Sequence, residues 1–125
     1  MAESVLANDY RRALAKQAQD GTAVAQAAYM AFGNGGLDAE GNPLTPDPER
    51  DGLNNQLLEK AISKIQEDDF SMTATGVVAE AELNGYKISE AVLLDTDHNP
   101  MAFKNFAGKE KEADEIFEVK IKLIH

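Results

Sequence analysis

The sequence predicts an α+β domain with two helices in its N-terminal half packed on a mainly antiparallel sheet. Three observations carry this. Apolar residues from Leu6 to Ala18 recur at helical spacing, an Asp47-Pro48 pair marks a second helix start, and alternating strand patterns dominate from Lys60 onward. At 125 residues the chain suits one domain, 1–125, with one core, and its 43% apolar and 27% charged residues exclude a disordered tail.

The first helix covers Ser4 to Asp20, where Leu6, Tyr10, Ala13, Leu14 and Ala18 form one stripe and Gly21 supplies the stop. Ala23 to Phe32 is read as a closely packed strand leading into the glycine turn Gly33-Asn34-Gly35-Gly36. Pro43, Pro46 and Pro48 forbid regular structure before Asp47, so residues 37–47 form an exposed loop. Asp47 as N-cap, Pro48 at the first helical position and Glu49 and Asp51 in the first turn predict a second helix to about Leu58.

Strands follow at Lys60–Glu67 and Met72–Leu83, the second with Thr73, Thr75, Val77, Ala79, Ala81 and Leu83 on one face. Asn84-Gly85 predicts a two-residue hairpin into Tyr86–Leu94, whose two apolar faces suit a central position. Asp95–Asn99 is a turn, Pro100–Phe106 a short strand and Ala107–Ala113 a charged loop. The last strand sets Phe117, Val119, Ile121 and Leu123 against Glu118, Lys120 and Lys122.

A formal charge of -10 disfavours nucleic acid and anionic membranes as partners and favours a basic protein. The absence of cysteine excludes disulfides, thiolate zinc sites and thiol nucleophiles. No apolar run approaches the roughly 20 residues that span a bilayer, and the start lacks a signal-peptide pattern, so synthesis in a cytoplasm is expected.

Few side chains suggest chemistry. Asp95-Thr96-Asp97-His98-Asn99 has the oxygen spacing of a calcium loop, but Pro100 and Phe106 stand where glycine and glutamate belong, so a hairpin turn is the reading. The glycine turn has no helix after it to hold a phosphate. His98 has acidic neighbours but no nucleophile at a recognisable spacing, and is read as solvated; His125 is the last residue. No cofactor and no metal is expected.

Glu90 stands apart. Alternation puts it on one face with Tyr86, Ile88, Val92 and Leu94, so its carboxylate is expected to be buried, where it needs donors or a proton. Two uses follow: a general acid, or a charge held structurally by a lysine or backbone N–H groups. Without a second catalytic residue the structural use is preferred.

Three separated segments, in order, resemble the N-terminal domain of phage tail-collar fibre proteins. They are Ala31-Phe-Gly-Asn-Gly-Gly36, Pro46-Asp-Pro-Glu-Arg-Asp-Gly-Leu-Asn-Asn55, and Gly85-Tyr-Lys-Ile-Ser-Glu-Ala-Val-Leu-Leu-Asp95 followed by Pro100–Phe106. The resemblance assigns Gly33, Gly35 and Gly36, with Asn34 between them, to the family's glycine loop. Asn55 takes its helix asparagine, and Gly85, Ile88, Glu90, Leu93 and Asp95 its hairpin motif. Asn34, Gln56, Lys87 and Ser89 depart from the usual aspartate, glutamate, aromatic and arginine.

The resemblance implies a virion protein of a contractile-tailed phage or prophage, made in the bacterial host cytoplasm and joining a tail fibre to the baseplate. Its partners would be baseplate or other tail proteins, with a homo-oligomer, a trimer in the assembled tail, as a further expectation. It implies no enzymatic activity. The alternative from the residues is a small bacterial enzyme or ligand-binding module using Glu90.

Overall fold

The computed structural model describes residues 4–124. Met1–Glu3 and His125, the terminal histidine of the sequence reading, lie outside them. Strand β1 (Ser4–Leu6) leads into helix α1 (Asn8–Asp20), followed by β2 (Ala27–Gly33), β3 (Gln56–Ala61), β4 (Ser63–Asp68), β5 (Ser71–Val78), β6 (Lys87–Asp95), β7 (Pro100–Glu110) and β8 (Phe117–Ile124). A five-stranded antiparallel sheet runs in the order β1-β7-β6-β2-β3, and a three-stranded one in the order β4-β5-β8. Among the described residues the fold is therefore mainly antiparallel β with one helix.

The sheets face each other, β5 over β2 and β3, β8 over β7 and β1, while α1 packs on β7. At the centre, Gly76 of β5 lies against Met30 and Phe32 of β2; a Cβ there would come within 2.6 Å of the Met30 sulfur. The missing side chain lets the layers approach, and Val119, Ile121 and Leu123 of β8 complete the core with Phe103 of β7. Strand β6 is central, and each residue from Ile88 to Leu94 is buried. Two lysines span the seams between sheets: Lys64 of β4 donates to Ala27 O at 2.7 Å, and Lys104 of β7 to Lys120 O at 2.9 Å.

Several elements follow the sequence closely. Helix α1 ends at Gly21, in the left-handed region at φ 79°, whose N–H reaches Gln17 O at 2.9 Å. In β8, Val119, Ile121 and Leu123 are buried and Glu118, Lys120 and Lys122 exposed. Strand β6 is a central strand, and residues 37–47 have no regular element beyond a single bridge between Leu37 and Pro43.

Other elements differ, each for a stated cause. Ser4–Leu6 is not the start of the helix but an edge strand on β7, with Val5 opposite Phe103. The predicted helix at Asp47–Leu58 does not form. Asp47 closes only a turn, its Oδ1 accepting the Glu49 N–H at 2.9 Å and its carbonyl the Arg50 N–H at 3.1 Å. The chain beyond, through Gly52, is drawn to Glu90 by the N–H groups of Asn54 and Asn55, which a helix would point along its own axis.

Asn84-Gly85 does make a turn, with Gly85 at φ 82°, but not a hairpin between its flanking strands. β5 pairs with β4 and β8, and β6 with β2 and β7, so the turn belongs to a crossing from one sheet to the other. β5 stops at Val78, short of the expected Leu83, and buries Ala74, Gly76 and Val78 on one face and Ser71 and Thr73 on the other. The stretch from Lys60 to Glu67 is two strands that belong to different sheets, divided at Ile62, and β7 continues through Glu110 where a loop was expected.

Candidate functional site

The site is built on the middle of the five-stranded sheet. Glu90 of β6 lies opposite Gly33 of β2 on one side and Asn105 of β7 on the other. Gly33 has no side chain to fill its place in the sheet, and the Glu90 carboxylate occupies that space. A Cβ on Gly33 would sit 2.6 Å from Glu90 Oε2, and one on Gly35 2.9 Å from the same oxygen.

The carboxylate is 1% exposed and is held by backbone donors from two separate loops. The Gly35 N–H reaches Oε2 at 2.8 Å, the Asn55 N–H the same oxygen at 2.9 Å, and the Asn54 N–H reaches Oε1 at 3.0 Å. Charge-assisted bonds of this kind are roughly twice as strong as neutral ones and satisfy an ion that burial would otherwise penalise.

The same loops are laced to each other. Asn55 Nδ2 donates to Asn34 Oδ1 at 2.5 Å, Asn54 Nδ2 to Gly35 O at 2.7 Å, and the Gly36 N–H to Ser89 Oγ at 3.0 Å. From here the exposed 37–47 loop departs and returns. Its far end is tied back by the Leu44 N–H to Gly36 O at 2.8 Å and by Asn105 Nδ2 to Leu44 O at 2.9 Å. A polar cluster under the sheet thus fixes both ends of a surface loop.

Of the residues singled out in the sequence, Gly33, Asn34, Gly35, Gly36, Asn55 and Glu90 come together here. Ile88, on the same face two positions before Glu90, is fully buried in the core. Gly85 and Asp95 do not join them. Gly85 sits beside Lys111, whose carbonyl takes its N–H at 2.8 Å. Asp95 lies five residues from Glu90, about 17 Å along the strand, and closes its own turn by accepting the N–H groups of Asp97 at 2.8 Å and Asn99 at 2.9 Å.

His98 is not simply solvated. Its Nδ1 lies 3.1 Å from Glu59 of β3 and its ring stacks on Tyr29 at 4.5 Å, fastening the β6–β7 turn to β2 and β3. Among the described residues no group of three or more His, Asp or Glu side chains is placed to hold a metal ion.

No family model, curated protein or solved structure matches this chain.

Sequence reasoning missed Asn54, Ser89 and Asn105, which complete the cluster, and a second buried charge. Lys111 is 1% exposed, and its ammonium donates to Glu112 O at 2.8 Å, Glu80 O at 2.9 Å and Asn84 Oδ1 at 3.0 Å. Asn54 and Ser89 adjoin residues already singled out. Lys111 stands in the run Lys109-Glu110-Lys111-Glu112, where nothing marks one lysine from the other.

Proposed function

We propose that this domain is a structural component of a phage tail or phage-tail-like particle, docking a fibre to the baseplate through protein–protein contacts. One observation carries the reading. The segments on which the tail-collar resemblance rests are far apart in the chain, yet residues from all of them meet at Glu90: Gly35 from the glycine loop, Asn54 and Asn55 from the proline-rich lead, and Glu90 itself from the strand motif.

The chemistry of the cluster favours support over catalysis. Both Glu90 oxygens accept backbone N–H groups and the side chain is almost fully covered, as befits an organiser of loops. What it organises is the 37–47 loop, exposed over most of its length and acidic at Asp38, Glu40 and Asp47, a surface suited to a basic protein partner.

The test is incorporation. An epitope-tagged chain, produced in its own host under conditions that induce phage or phage-tail-like particles, is expected to sediment with intact tails and to be labelled at the baseplate end. Glu40→Lys should reduce incorporation severalfold without unfolding the domain, because an exposed loop charge contributes little to stability, whereas Asp38 is left in place because its carboxylate accepts the Glu40 and Asn42 N–H groups at 3.0 and 2.9 Å and shapes the loop. Tails that assemble without the chain, or that take up the loop variant equally well, would overturn the reading.

A further inference from the structure

The sequence holds two Asn-Gly pairs, Asn34-Gly35 and Asn84-Gly85, and the fold sets one at each buried charge. Such a pair is prone to lose the asparagine's amide, because a glycine nitrogen has no side chain beside it to block attack on the preceding carboxamide carbon. The two pairs are held differently. A Cβ on Gly35 would meet Asn54 Cβ at 2.6 Å and Asn55 N at 3.1 Å, whereas one on Gly85 would meet nothing within 4 Å. The Gly35 N–H is bound by the Glu90 carboxylate at 2.8 Å, the Gly85 N–H by a neutral carbonyl, Lys111 O, also at 2.8 Å. Asn34 Oδ1 accepts from a neutral amide, Asn55 Nδ2, while Asn84 Oδ1 accepts from the Lys111 ammonium at 3.0 Å. The turn at Asn84 is also strained: Leu83, whose carbonyl takes the Tyr86 N–H at 3.1 Å, stands at φ 51°, a left-handed conformation that a leucine adopts at a steric cost.

We propose that Asn84 is a self-modification site, at which loss of the side-chain amide gives Lys111 the carboxylate partner that the sequence withholds. The Gly85 nitrogen gives its proton to solvent and bonds to Asn84 Cγ. The Cγ–Nδ2 bond breaks, ammonia leaves with a proton from water, and a five-membered succinimide remains. Water then opens the ring at one of its two carbonyls, to aspartate or to isoaspartate. Lys111 Nζ, already on Asn84 Oδ1, stabilises the oxyanion formed in the first addition.

At Asn34 the same steps are opposed. Negative charge would develop on the Gly35 nitrogen against Glu90 Oε2, and the ring would need room that Asn54 and Asn55 fill. Opening of the 83–86 turn, by contrast, relieves Leu83 and involves no strand of either sheet. The products differ as well. An aspartate at position 84 faces an ammonium, whereas one at position 34 adds a second anion beside a buried carboxylate. The inference rests on Lys111 and the turn before it and does not depend on the tail-fibre reading.

Peptide mass mapping of the whole protein, aged in mildly alkaline buffer both folded and in denaturant, tests the site. In denaturant the two pairs are expected to convert at similar rates, and in the folded protein Asn84 is expected to convert roughly ten-fold faster than Asn34. No conversion at Asn84 in the folded protein, or conversion at Asn34 as fast as at Asn84, would overturn the assignment. Asn84→Asp builds the product directly. It is expected to raise the midpoint of denaturant unfolding, and to lose that gain when Lys111→Met is added. A midpoint that Asn84→Asp leaves unchanged or lowers, or a gain that survives Lys111→Met, would overturn the proposal as well, since the new carboxylate would not serve Lys111.

Discussion

Glu90 and Lys111 are opposite charges buried to the same extent, and each is satisfied without an ion-pair partner in hydrogen-bond contact. The anion takes three backbone N–H groups, and the cation gives its protons to two backbone carbonyls and a side-chain amide. In a small β protein with long connections, a buried charge of either sign gathers the polar backbone of irregular segments that no sheet ladder serves. The difference lies in what is gathered. Glu90 joins loops that are 35 to 55 residues away in the chain, whereas Lys111 reaches no further than Glu80, 31 residues away, and fastens one turn to the end of β7.

That difference sets an order of effects. Glu90→Ala leaves three part-buried N–H groups without their acceptor and a void beside Gly33, and is expected to cost about 2–3 kcal/mol in denaturant unfolding. Exposed Glu118→Ala should cost about 0.5 kcal/mol or less. If the two prove equal, Glu90 is not an organising centre. Lys111→Met keeps the packing of the stem and strands only acceptors, which tolerate partial satisfaction better because each has two lone pairs. A loss of about 1–2 kcal/mol is expected by the same measurement. A larger loss than at Glu90→Ala would reverse the order.

The two charges also differ in how far the sequence announced them. Alternation announced the burial of Glu90 only in part: Tyr86, read on the same face, precedes β6 and is 47% exposed, and Ile88 to Leu94 are all buried because β6 lies between β7 and β2. Lys111 lies just past the end of β7 in a stretch of alternating charge, and its burial comes from the 79–85 turn folding over it, a tertiary event without local signature. The same limit explains the absent second helix. Asp47-Pro48 is a genuine helix-start signal and does close a turn, but the demand of Glu90 for the Asn54 and Asn55 N–H groups outweighs it. Asn84-Gly85 likewise announces a turn correctly while carrying no information on which strands will pair. Strand β8, with a strict period of two, was legible in full.

Smaller effects come from carboxylates outside both centres. The Lys60 ammonium, followed by the Ala79 N–H, holds the Glu82 carboxyl below its usual range, and the Glu112 N–H, then Lys109, does the same for Glu115. A carboxyl lowered in the folded state adds stability that is present above its unfolded value and is lost as the pH falls through its folded value. The Tm is therefore expected to hold steady from neutral pH to about 5 and to fall below the unfolded glutamate value of 4.5, with a shallower fall in the Glu82→Gln, Glu115→Gln double variant. An acid limb of unchanged steepness in that variant would show that these bonds add nothing.

The central claim is that one carboxylate holds two distant loops together, and amide hydrogen exchange reads this residue by residue. In Glu90→Ala, which removes both acceptor oxygens, the amides of Gly35, Asn54 and Asn55 are expected to lose protection together, while in Lys111→Met they keep it. Protection retained at all three in Glu90→Ala, or lost at Gly35 alone with Asn54 and Asn55 untouched, would contradict the account.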